Sequence, residues 1–341
     1  MKYSKTYFDD LESISRIINK FELLNNTRIL VIGSTGLIGS AIVDFLMYLN
    51  TTKNYNITVY ATSRKYEKFI ERFEYYKDNK NLIFTEYDSL KTIDFNYDFD
   101  YVIYSAGLAN PNEYVNHPVE TMNSSYLGLN NILQYGINHK YKCILYVSSS
   151  EVYGVDDNIE IFKENDLGFV DVNDFRSCYP ISKRACESLC VSYKKEYGID
   201  YRIVRPGHVY GPTSTVDDNR VGSLFLRLAK NGEDIVLKSS GEQIRSYCYV
   251  LDVVSAIITV LLNGDSTVYN ISNNESNVSI KEFAEEIALL SGVRVIYDKP
   301  NIKELSSFNK MNNSVIDNSK LLKLGWKAIF DLKTGLFRSL K

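Results

Sequence analysis

Tyr179 and Lys183 have the residue types and the spacing of a proton-transfer pair. A step of four residues places both side chains on one face of a helix. A lysine ammonium beside a phenol favours the phenolate and lowers the pKa of the tyrosine toward neutral pH. The pair therefore predicts a tyrosine that exchanges protons with a substrate hydroxyl or ketone. The same spacing occurs in ordinary helices, so the prediction needs support from elsewhere in the chain.

A strand-like segment that ends in serines gives that support. Residues 142–148 form an apolar run, and Ser149 follows directly after it. The Ser149 hydroxyl would hydrogen-bond the same substrate oxygen that Tyr179 protonates or deprotonates. A serine at a strand end, combined with a tyrosine and a lysine on a helix, is the arrangement of a reductase. In such a site Lys183 would also hold the ribose of a nicotinamide cofactor, whose positive charge would add to that of Lys183 in lowering the pKa of Tyr179.

Glycines follow the first predicted strand, Arg28–Ile32, at the spacing of a phosphate-binding turn. Gly33 would make the tight turn, Gly36 would let the backbone approach a pyrophosphate, and Gly39 would allow close packing of helix on strand. Amide groups at the start of the helix would bind the phosphates. Strand, turn and helix together predict a dinucleotide site rather than a chance glycine turn. The residues assigned to this turn are Gly33, Thr35, Gly36, Leu37, Ile38 and Gly39.

The end of the second predicted strand bears on which dinucleotide is bound. NAD enzymes usually place an acid there, next to the 2′-hydroxyl of the adenosine ribose. In this chain Ser63 and Arg64 follow the strand. These side chains would bind a 2′-phosphate and favour NADP, whereas a solvated Arg64 without a ligand is the alternative. We therefore expect NADP or NAD as the cofactor.

Residues after the next two strands would complete the cofactor site. Asp88 follows the third predicted strand and is expected to bind the adenine amino group. Ala106 and Gly107 follow the fourth strand and would pass beneath the cofactor with little bulk.

The elements that position these residues alternate between strands and helices. Short β-branched runs alternate with segments of helical periodicity, which predicts an α/β fold with a parallel sheet covered on both faces. The expected fold class is a Rossmann-type doubly wound parallel sheet with a smaller C-terminal α/β substrate lobe. The predicted strands are Arg28–Ile32, Ile57–Thr62, Leu82–Thr85, Tyr101–Ser105, Lys142–Ser148 and Tyr201–Arg205. The segments with helical spacing include Gly39–Leu49, Tyr179–Tyr197 and Val221–Lys230.

The chain divides into an extension and two interleaved regions. Residues 28–205 form the predicted NAD(P)-binding domain, and 241–270 are expected to return to it. Residues 206–240 and 271–341 form the predicted smaller lobe, which is expected to bind the substrate. That lobe would cap the carboxyl edge of the sheet, where ligands sit in doubly wound folds.

Residues 1–27 are expected to form an N-terminal helical extension. Apolar residues at helical spacing predict an amphipathic helix that begins after Asp9 and Asp10. The helix would pack on the domain or, alternatively, make an oligomer contact. The residues that set this spacing are Leu11, Ile14, Ile18 and Phe21.

Composition and charge exclude several classes of protein. The formal net charge is −3, without a long basic run, which argues against nucleic acid as a partner. No stretch approaches the roughly 20 apolar residues of a membrane-spanning helix. No signal peptide is recognisable, so we expect a cytoplasmic protein that does not bind membranes. Five scattered cysteines and only three histidines predict reduced, buried thiols and no metal site.

Several segments resemble the NAD-dependent epimerase/dehydratase family of extended short-chain dehydrogenases/reductases. Within that family the pattern is similar to UDP-glucuronate decarboxylase-like nucleotide-sugar enzymes. The spacing of the three glycines is also that of extended short-chain dehydrogenases, and the similarity runs from about Arg28 to the C-terminus. The segments that carry it are Ser148–Gly154, Arg176–Arg184, Asp218–Ser223 and Gly241–Asp252.

The resemblance implies a role for each matching residue. Tyr179 would be the base that starts oxidation at sugar C4, and Ser149 would support this proton transfer. Glu151 would handle protons at C5 or the loss of water, unless it only caps its loop. Arg220 and Arg245 would clamp the nucleotide phosphates, unless Arg245 is a surface strand residue. The further substrate contacts implied are Ser150, Arg176, His208 and Val221, with a purely structural His208 as the alternative.

Departures from the family pattern leave the reaction open. A C4 ketone permits decarboxylation if C6 is a carboxylate, dehydration if C6 carries a hydroxyl, and epimerisation if neither occurs. Ser150 stands where 4,6-dehydratases carry an aspartate, which favours decarboxylation. Against this, Gly107–Pro111, Ser125 and His208 depart from the decarboxylase pattern.

In the function described so far, a tightly bound NAD(P) oxidises sugar C4 transiently and is restored at the end of the reaction. Two other functions are alternatives to it. The first is an NADPH-dependent reductase of nucleotide 4-keto-sugars, which Ser63 and Arg64 favour and Glu151 disfavours. The second is a non-catalytic dinucleotide sensor, which the intact Tyr179 and Lys183 pair argues against. The resemblance also implies a nucleotide-sugar substrate, with a UDP-sugar favoured, and a homodimer.

Overall fold

A computed structural model describes residues 3–91, 93, 95–301, 304–305, 308–309 and 311–341. The strands in this part of the chain are β1 (Arg28–Ile32), β2 (Thr58–Ser63), β3 (Leu82–Glu86), β4 (Tyr101–Tyr104), β5 (Cys143–Val147), β6 (Tyr201–Pro206), β7 (His208–Tyr210), β8 (Ile235–Leu237), β9 (Ile244–Tyr249), β10 (Val268–Ile271), β11 (Asn277–Ser279), β12 (Val295–Tyr297) and β13 (Asn313–Ser314). The helices are α1 (Lys5–Ser15), α2 (Leu37–Thr52), α3 (Tyr66–Phe73), α4 (Pro111–Asn116), α5 (Pro118–His139), α6 (Cys178–Tyr197), α7 (Val221–Lys230), α8 (Val250–Asn263), α9 (Ile280–Ser291), α10 (Ser319–Leu322) and α11 (Leu332–Leu340).

A seven-stranded parallel sheet organises the larger part of the molecule. Its strand order is β10-β6-β5-β4-β1-β2-β3, and each neighbouring pair runs parallel. The order reverses between β1 and β4, which opens a crevice at the carboxyl ends of these two strands. The predicted Rossmann-type fold is confirmed, and doubly wound folds bind their ligands in such a crevice.

Both faces of the sheet are covered, as the alternation of side chains along β1 shows. Ile29 and Val31 belong to the core that includes residues of α2 and α8. Leu30 and Ile32 belong to the opposite core, which includes residues of α5 and α6. A strand that is buried on both faces reads as a continuous apolar run, which is why Arg28–Ile32 was recognisable in the sequence.

A smaller lobe is built around β9. This strand pairs with β7 and β13 in parallel and with β11 in antiparallel orientation, and β8 pairs with β12 beside it. Residues 241–270 were expected to return to the NAD(P)-binding domain. Within them β9 pairs in the smaller lobe, whereas α8 packs on the large sheet and β10 joins that sheet at β6, so the division into domains stays a prediction. The difference arises because an isolated strand pattern does not specify its pairing partner.

The N-terminal helix begins earlier than the sequence pattern indicates. The Ser4 hydroxyl accepts a hydrogen bond from the Tyr7 amide at 3.2 Å and caps α1, so Asp9 and Asp10 lie inside the helix rather than before it. The helix ends at Ser15, and Ile18 is buried beyond that end. Asp10 is also buried, where it accepts a hydrogen bond from the Tyr249 hydroxyl at 3.0 Å.

Among the described residues, none of the helices combines the length and the apolar character that crossing a bilayer requires.

Candidate active site

The glycine turn after β1 is fixed by close backbone contacts. Gly33 has φ = +81°, and a Cβ atom at this position would lie 2.8 Å from the backbone of Ala106. A Cβ atom on Gly39 would lie 2.2 Å from the Gly33 carbonyl oxygen, so α2 packs on the turn only because residue 39 is glycine. Gly36 is the N-cap of α2 and is exposed. The turn therefore presents bare backbone and a helix N-terminus to the crevice.

Side chains from neighbouring elements hold this turn in place. The Gly33 amide donates to the Thr62 hydroxyl at 3.1 Å, and the Ser34 hydroxyl donates to the Thr62 carbonyl oxygen at 2.8 Å. From the smaller lobe, the Thr213 hydroxyl donates to the Leu37 carbonyl oxygen at 2.7 Å. The turn is thus fixed between β2 and the smaller lobe before any ligand binds.

The shape of this turn fits the pyrophosphate of a dinucleotide. The cradle exists because positions 33 and 39 carry no Cβ, and the exposed Gly36 backbone borders it. The half-buried Thr35 and Ile38 and the buried Leu37 complete the turn and the start of α2. Ala106 and Gly107, which follow β4, line the same cleft.

The predicted adenosine contacts lie at the ends of β2 and β3. Ser63 is buried, and its hydroxyl accepts a hydrogen bond from the Lys65 amide at 3.3 Å. Arg64 is exposed. Asp88 is half-buried, and its carboxylate accepts a hydrogen bond from the Leu90 amide at 3.1 Å. One of its carboxylate oxygens therefore already stabilises a turn. The roles of these residues toward a cofactor remain predictions.

Tyr179, near the start of α6, lines the cleft. The cleft is lined by Gly33, Gly36, Leu37, Ile38, Gly39, Ser105, Ala106, Gly107, Ala109, Val147, Ser148, Ser149, Tyr179, Lys183, Pro206, Gly207, Val209 and Arg220. The tyrosine is buried and hydrogen-bonded with Ser149, the N-cap of the 3-10 helix Ser150–Tyr153. The structure therefore brings the predicted serine, tyrosine and lysine together with the glycine turn.

Burial dominates the acidity of Tyr179. Desolvation, and then the charge of Glu151, raise the pKa of the tyrosine above its usual value. The hydrogen bond with Ser149 and the guanidinium groups of Arg220 and Arg176 oppose this rise. In the protein without a ligand, desolvation therefore outweighs the stabilisation of the phenolate. The lowered pKa that was expected with both Lys183 and a nicotinamide charge beside the phenol stays a prediction for the loaded site.

Lys183 lies one helical turn after Tyr179 and is also buried. Its ammonium group donates to the Val147 carbonyl oxygen at 2.9 Å and lies 5.7 Å from the centre of the Tyr179 ring. Burial lowers the pKa of Lys183 to about 8. The lysine thus joins α6 to the end of β5 while its charge stays close to the phenol.

Tyr114 on α4 completes the environment of Tyr179. The two rings stack with their centres 4.7 Å apart and an interplanar angle of 22°. The guanidinium of Arg176 lies 4.6 Å from the centre of the Tyr114 ring and forms an ion pair with Glu151 at 2.9 Å. Arg176, predicted as a substrate contact, therefore has an internal partner and links Tyr114 to Glu151.

Arg245 on β9 is a buried cation whose hydrogen bonds go to backbone. Its guanidinium donates to the carbonyl oxygens of Ile244, Met311 and Asn312 at 2.9, 2.8 and 3.4 Å. Within the described residues no ion pair joins Arg245 to a carboxylate. The alternative of a surface strand residue is wrong, because only 3% of Arg245 is exposed. A buried arginine without a carboxylate partner is suited to receive an anionic ligand.

His208 on β7 lies opposite Tyr247 of β9, the strand that also carries Arg245. Its Nδ1 atom is buried and has no hydrogen-bond partner among the described residues. Burial, and then the charges of Arg245 and Arg220, lower the pKa of His208 to about 3, so the imidazole is neutral at physiological pH. A neutral histidine with an unsatisfied ring nitrogen is equipped to bind a ligand hydroxyl or amide.

Arg220 precedes α7 and is paired internally. Its guanidinium and its amide contact the Asp218 carboxylate, with the shortest distance 2.6 Å from Nη2 to Oδ2. The same carboxylate accepts the Ser223 hydroxyl at 2.8 Å. The half-buried Val221 begins α7 next to Arg220, which lines the cleft, whereas the predicted contact Ser150 is buried.

Sequence reasoning missed Tyr114 and Asp218 as parts of the site. Asp218 lies two residues before Arg220, and that local spacing was a usable signal for an ion pair. Tyr114 offered no such signal, because its contact with Tyr179 depends on how α4 folds back over α6.

The fold and the cleft define a dinucleotide-dependent enzyme with a tyrosine–lysine pair. The profile of the NAD dependent epimerase/dehydratase family matches residues 29–272. UDP-glucuronic acid decarboxylase 6 from Arabidopsis thaliana is 32% identical over 318 residues, which span 92% of this chain and 87% of the plant protein. The chain belongs to the NAD-dependent epimerase/dehydratase family, and the expected family, enzyme class and nicotinamide dinucleotide cofactor are confirmed.

Solved structures show the same architecture. UDP-N-acetylglucosamine 4-epimerase from Methanobrevibacter ruminantium M1, in complex with UDP-N-acetylmuramic acid, superposes with a TM-score of 0.77 at 25% identity and covers 93% of this chain and 97% of its own. UDP-glucuronic acid 4-epimerase from Bacillus cereus, solved with NAD, gives a TM-score of 0.77 at 22% identity and covers 92% and 98%. The second similarity concerns the fold alone.

Proposed function

We propose that the protein acts on a nucleotide-linked sugar by transient oxidation of its C4 hydroxyl. The observation that carries the proposal is the burial of Tyr179 beside Ser149 and Lys183, in the cleft that the glycine turn also lines. A nicotinamide dinucleotide, when bound, supplies a reversible acceptor for the C4 hydrogen and its two electrons. The residues that would hold it are the turn Gly33–Gly39, Ala106, Gly107 and Lys183.

In this mechanism Tyr179 takes the proton of the C4 hydroxyl. The adjacent Ser149 hydroxyl holds the sugar oxygen in line with the phenol, and the Lys183 charge favours the phenolate. Without a ligand the pKa of Tyr179 is raised by burial. The added positive charge of an oxidised nicotinamide in the same cleft would favour the phenolate and offset part of that burial.

Arg245 is our candidate for the nucleotide diphosphate site. Its guanidinium is buried and is held by backbone carbonyl groups, so its position is fixed before a ligand arrives. Planar guanidinium groups bind phosphate oxygens in a bidentate manner. Arg220 is a second candidate, although it would bind phosphate while remaining paired with Asp218.

Among the reactions that a C4 ketone permits, we propose decarboxylation of a UDP-hexuronic acid as the first to test. The plant relative at 32% identity is named for this activity, and Ser150 puts a hydroxyl rather than a carboxyl group before Glu151. Loss of carbon dioxide from a 4-keto-hexuronate breaks the C5–C6 bond and moves the electron pair into an enolate. A proton is then added at C5, and we assign this transfer to Glu151, which would take up a proton from solvent beforehand. Return of the hydrogen and its two electrons to C4 would restore the hydroxyl group and the oxidised dinucleotide.

A 4-keto-sugar reductase is the second candidate. It is favoured by the absence of an acid after β2, where Ser63 and Arg64 would suit the 2′-phosphate of NADPH. The half-buried Glu151, paired with Arg176, favours the first proposal, since reduction of a ketone needs no second acid or base. We keep NADP and NAD as alternatives for the cofactor. A non-catalytic sensor would have no need of the Tyr179–Lys183 pair.

The nature of the copurified dinucleotide tests these functions. The protein is purified, denatured and extracted, and the released dinucleotide is identified by mass and absorbance. We expect near-stoichiometric oxidised NAD or NADP, together with conversion of UDP-glucuronic acid to a product that has lost carbon dioxide. A protein that is isolated empty, binds NADPH and leaves UDP-sugars unchanged would support the reductase instead.

The variant Tyr179→Phe separates chemistry from binding. We expect turnover to fall by about a hundredfold or more, because the proton acceptor is lost, while the bound dinucleotide is retained. Tyr297→Phe, which changes an exposed tyrosine of the smaller lobe, is the matched control. Unchanged turnover in Tyr179→Phe would refute the mechanism.

We further propose a cytoplasmic homodimer formed through α5 and α6. These two helices pack against each other and cover one face of the sheet, and their outward surface carries several exposed apolar side chains. We call this surface the α5/α6 face, and it comprises Val119, Met122, Tyr126, Leu127, Val191 and Tyr197. Burial of such a face between two copies is the ordinary reason for its composition.

The five buried, unpaired cysteines are compatible with a reducing compartment.

A further inference from the structure

The helix that carries Tyr179 and Lys183 bears a further buried ionisable residue, Glu187, one turn after Lys183. The three side chains are four residues apart in sequence, so they form one ridge along the helix, facing the sheet. A buried carboxylate is costly unless it is well hydrogen-bonded. Glu187 takes no part in the proton transfer that we assign to Tyr179, Ser149 and Lys183, so its burial must have another reason.

Glu187 accepts three hydrogen bonds in the protein interior. The Ser148 hydroxyl donates to Oε1 at 2.6 Å. The guanidinium of Arg205 on β6 donates to both carboxylate oxygens, from Nε to Oε1 at 2.9 Å and from Nη2 to Oε2 at 2.6 Å. This bidentate arrangement fixes the carboxylate in a single orientation.

Arg205 is itself held by further hydrogen bonds. Its Nη1 atom donates to the Tyr153 hydroxyl at 3.0 Å and to the Glu164 carbonyl oxygen at 2.8 Å. The Tyr153 hydroxyl in turn donates to Asn270 Oδ1 on β10 at 2.6 Å. The network thus connects α6 with two strands and with the 3-10 helix that follows Ser149. A buried network in which every member is satisfied is rigid.

The position of Ser148 gives this network a consequence for the active site. Lys183 holds the Val147 carbonyl oxygen, and Glu187 holds the hydroxyl of the next residue, Ser148. Two successive turns of α6 are therefore hydrogen-bonded to adjacent residues at the end of β5. The residue that follows is Ser149, whose hydroxyl contacts Tyr179.

We propose that Glu187 is a positioning residue for the active site: through Ser148 it fixes the end of β5 and hence the place of Ser149 relative to Tyr179 and Lys183. This inference rests on the proposed function, because it assumes that these three residues perform proton transfer. Stability alone does not require the arrangement, since apolar residues of similar volume commonly replace a buried ion pair without loss of stability.

The negative charge of Glu187 has a second effect, on Lys183. Burial lowers the pKa of the lysine to about 8, and the charge of Glu187 is among the influences that oppose this fall. Without Glu187 the lysine would lose its proton at lower pH. The Tyr179 phenolate would then lose its positive neighbour within the working range of pH.

Two variants separate the geometric effect from the charge effect. Ser148→Ala removes the link to β5 and retains the Glu187–Arg205 pair, whereas Glu187→Gln keeps the shape and removes the charge. Both are mixed as holoenzymes with UDP-glucuronic acid, and reduction of the bound dinucleotide is followed by nicotinamide absorbance across a range of pH. The controls are Ser192→Ala and Glu196→Gln, which change exposed residues of the same helix.

For Ser148→Ala we expect reduction to slow by about tenfold at every pH, with unchanged substrate affinity, because the reacting groups are displaced rather than removed. For Glu187→Gln we expect slower reduction and also an alkaline limb of the pH–rate profile that lies at lower pH. The controls should match the wild-type protein in both respects. A purely structural role would lower the melting temperature and leave the pH profile in place.

Distinct outcomes overturn this proposal and the proposed function. If the wild-type holoenzyme shows no reduction with UDP-glucuronic acid or UDP-glucose, the proposed function fails, whatever the variants do. If the wild-type protein reacts and folded Ser148→Ala reacts at the same rate, the positioning role of Glu187 is refuted. That comparison decides the question even where Glu187→Gln does not fold.

Discussion

At the scale of single residues, the acidity of Tyr179 depends on a balance between burial and a few polar contacts. Desolvation raises its pKa most, and the charge of Glu151 adds to the rise. Ser149 opposes these effects through a hydrogen bond, and Arg220 and Arg176 oppose them through charge. Each of these neighbours therefore influences the pH at which the tyrosine acts as a base.

Removing the Ser149 hydroxyl should move the pH dependence of the reaction. In Ser149→Ala the phenolate loses a hydrogen bond that favours it, so the pKa of Tyr179 rises further. Oxidation needs the phenolate, and the acid limb of the pH–rate profile therefore moves to higher pH. We expect the rate at neutral pH to fall by about tenfold or more. Rapid-mixing measurements of dinucleotide reduction between about pH 6 and pH 11, a range that includes the usual pKa values of lysine and tyrosine, check this.

The conservative variant Ser149→Thr serves as the control. It retains a hydroxyl group at the N-cap of the 3-10 helix, and we expect it to keep the acid limb close to its original position. An acid limb that is the same in Ser149→Ala as in the wild-type protein would contradict the role given to this hydroxyl.

At the scale of elements, the turn between β1 and α2 separates a folding requirement from a binding requirement. A Cβ atom on Gly39 would lie 2.2 Å from the Gly33 carbonyl oxygen, a distance that neither backbone segment tolerates. A Cβ atom on Gly36 would lie 3.5 Å from the same oxygen, which is an ordinary van der Waals contact. The two glycines should therefore respond differently to the same substitution.

We expect Gly39→Ala to destabilise the protein by about 1–3 kcal/mol or more, because α2 has to move away from β1. We expect Gly36→Ala to fold with a nearly unchanged melting temperature and to bind the dinucleotide poorly, because the added methyl group occupies the approach of the pyrophosphate. Thermal unfolding and calorimetric titration with NAD and NADP measure both effects. Tight binding by folded Gly36→Ala would rule out this turn as the phosphate site.

The elements of the large sheet could be predicted from the sequence because their signals are local. The first strand was predicted at Arg28–Ile32 and α7 at Val221–Lys230, and the structure has these same bounds. The start of α1 was missed because its cap is Ser4, whereas the acidic pair at Asp9 and Asp10 resembled a helix start. The pairing of β9 was missed because the sequence pattern of a strand does not specify which strand pairs with it.

The candidate site could be predicted where a motif fixes the geometry. The glycine turn and the Tyr179–Lys183 spacing each lie within one short segment. The ion pair of Arg176 with Glu151 and the stacking of Tyr114 on Tyr179 join residues that are distant in sequence. Such contacts depend on how whole elements pack, and the periodicity of apolar residues in the sequence does not predict them.

At the scale of the whole molecule, the α5/α6 face is the surface through which two copies would associate. We expect the double variant Met122→Glu, Val191→Glu to be monomeric, because two charges on each protomer would be buried without partners. Light scattering coupled to size-exclusion chromatography gives the mass of the wild-type and variant proteins. Leu289→Glu, which changes an exposed apolar residue on α9, is the control. A monomeric wild-type protein, or a dimeric double variant, would refute the assignment.

The N-terminal extension, the smaller lobe and the C-terminal helix meet around two buried carboxylates. Asp10 of α1 accepts a hydrogen bond from Tyr249 and pairs with Arg338 of α11, and burial raises the pKa of Asp10 to about 6. Asp252 at the start of α8 accepts the amides of Ile329 and Phe330 at 2.9 and 3.2 Å. Burial raises the pKa of Asp252 to about 7.

These raised pKa values make the stability of the fold depend on pH in a definite direction. The usual pKa of an aspartate is 3.8, so between about pH 4 and pH 7 the folded protein holds protons that the unfolded chain has released. The free energy of unfolding therefore decreases as the pH rises through this window and levels off above it. For Asp252 alone the decrease amounts to about 4 kcal/mol at most. Urea unfolding at a series of pH values measures the slope.

Substitution of Asp252 by asparagine should flatten that slope, because the side chain no longer titrates while one oxygen still accepts a backbone amide. Asp78→Asn, which changes an exposed aspartate in a turn, should leave the slope unchanged. A slope that is the same in Asp252→Asn and in the wild-type protein would show that Asp252 titrates normally in the fold. In that event Asp10, with its closer cation Arg338, would be the remaining source of any pH dependence in the window. The comparison thus tests whether protonation of the carboxyl groups at the junction of the extension, the lobe and the C-terminal helix raises the free energy of unfolding.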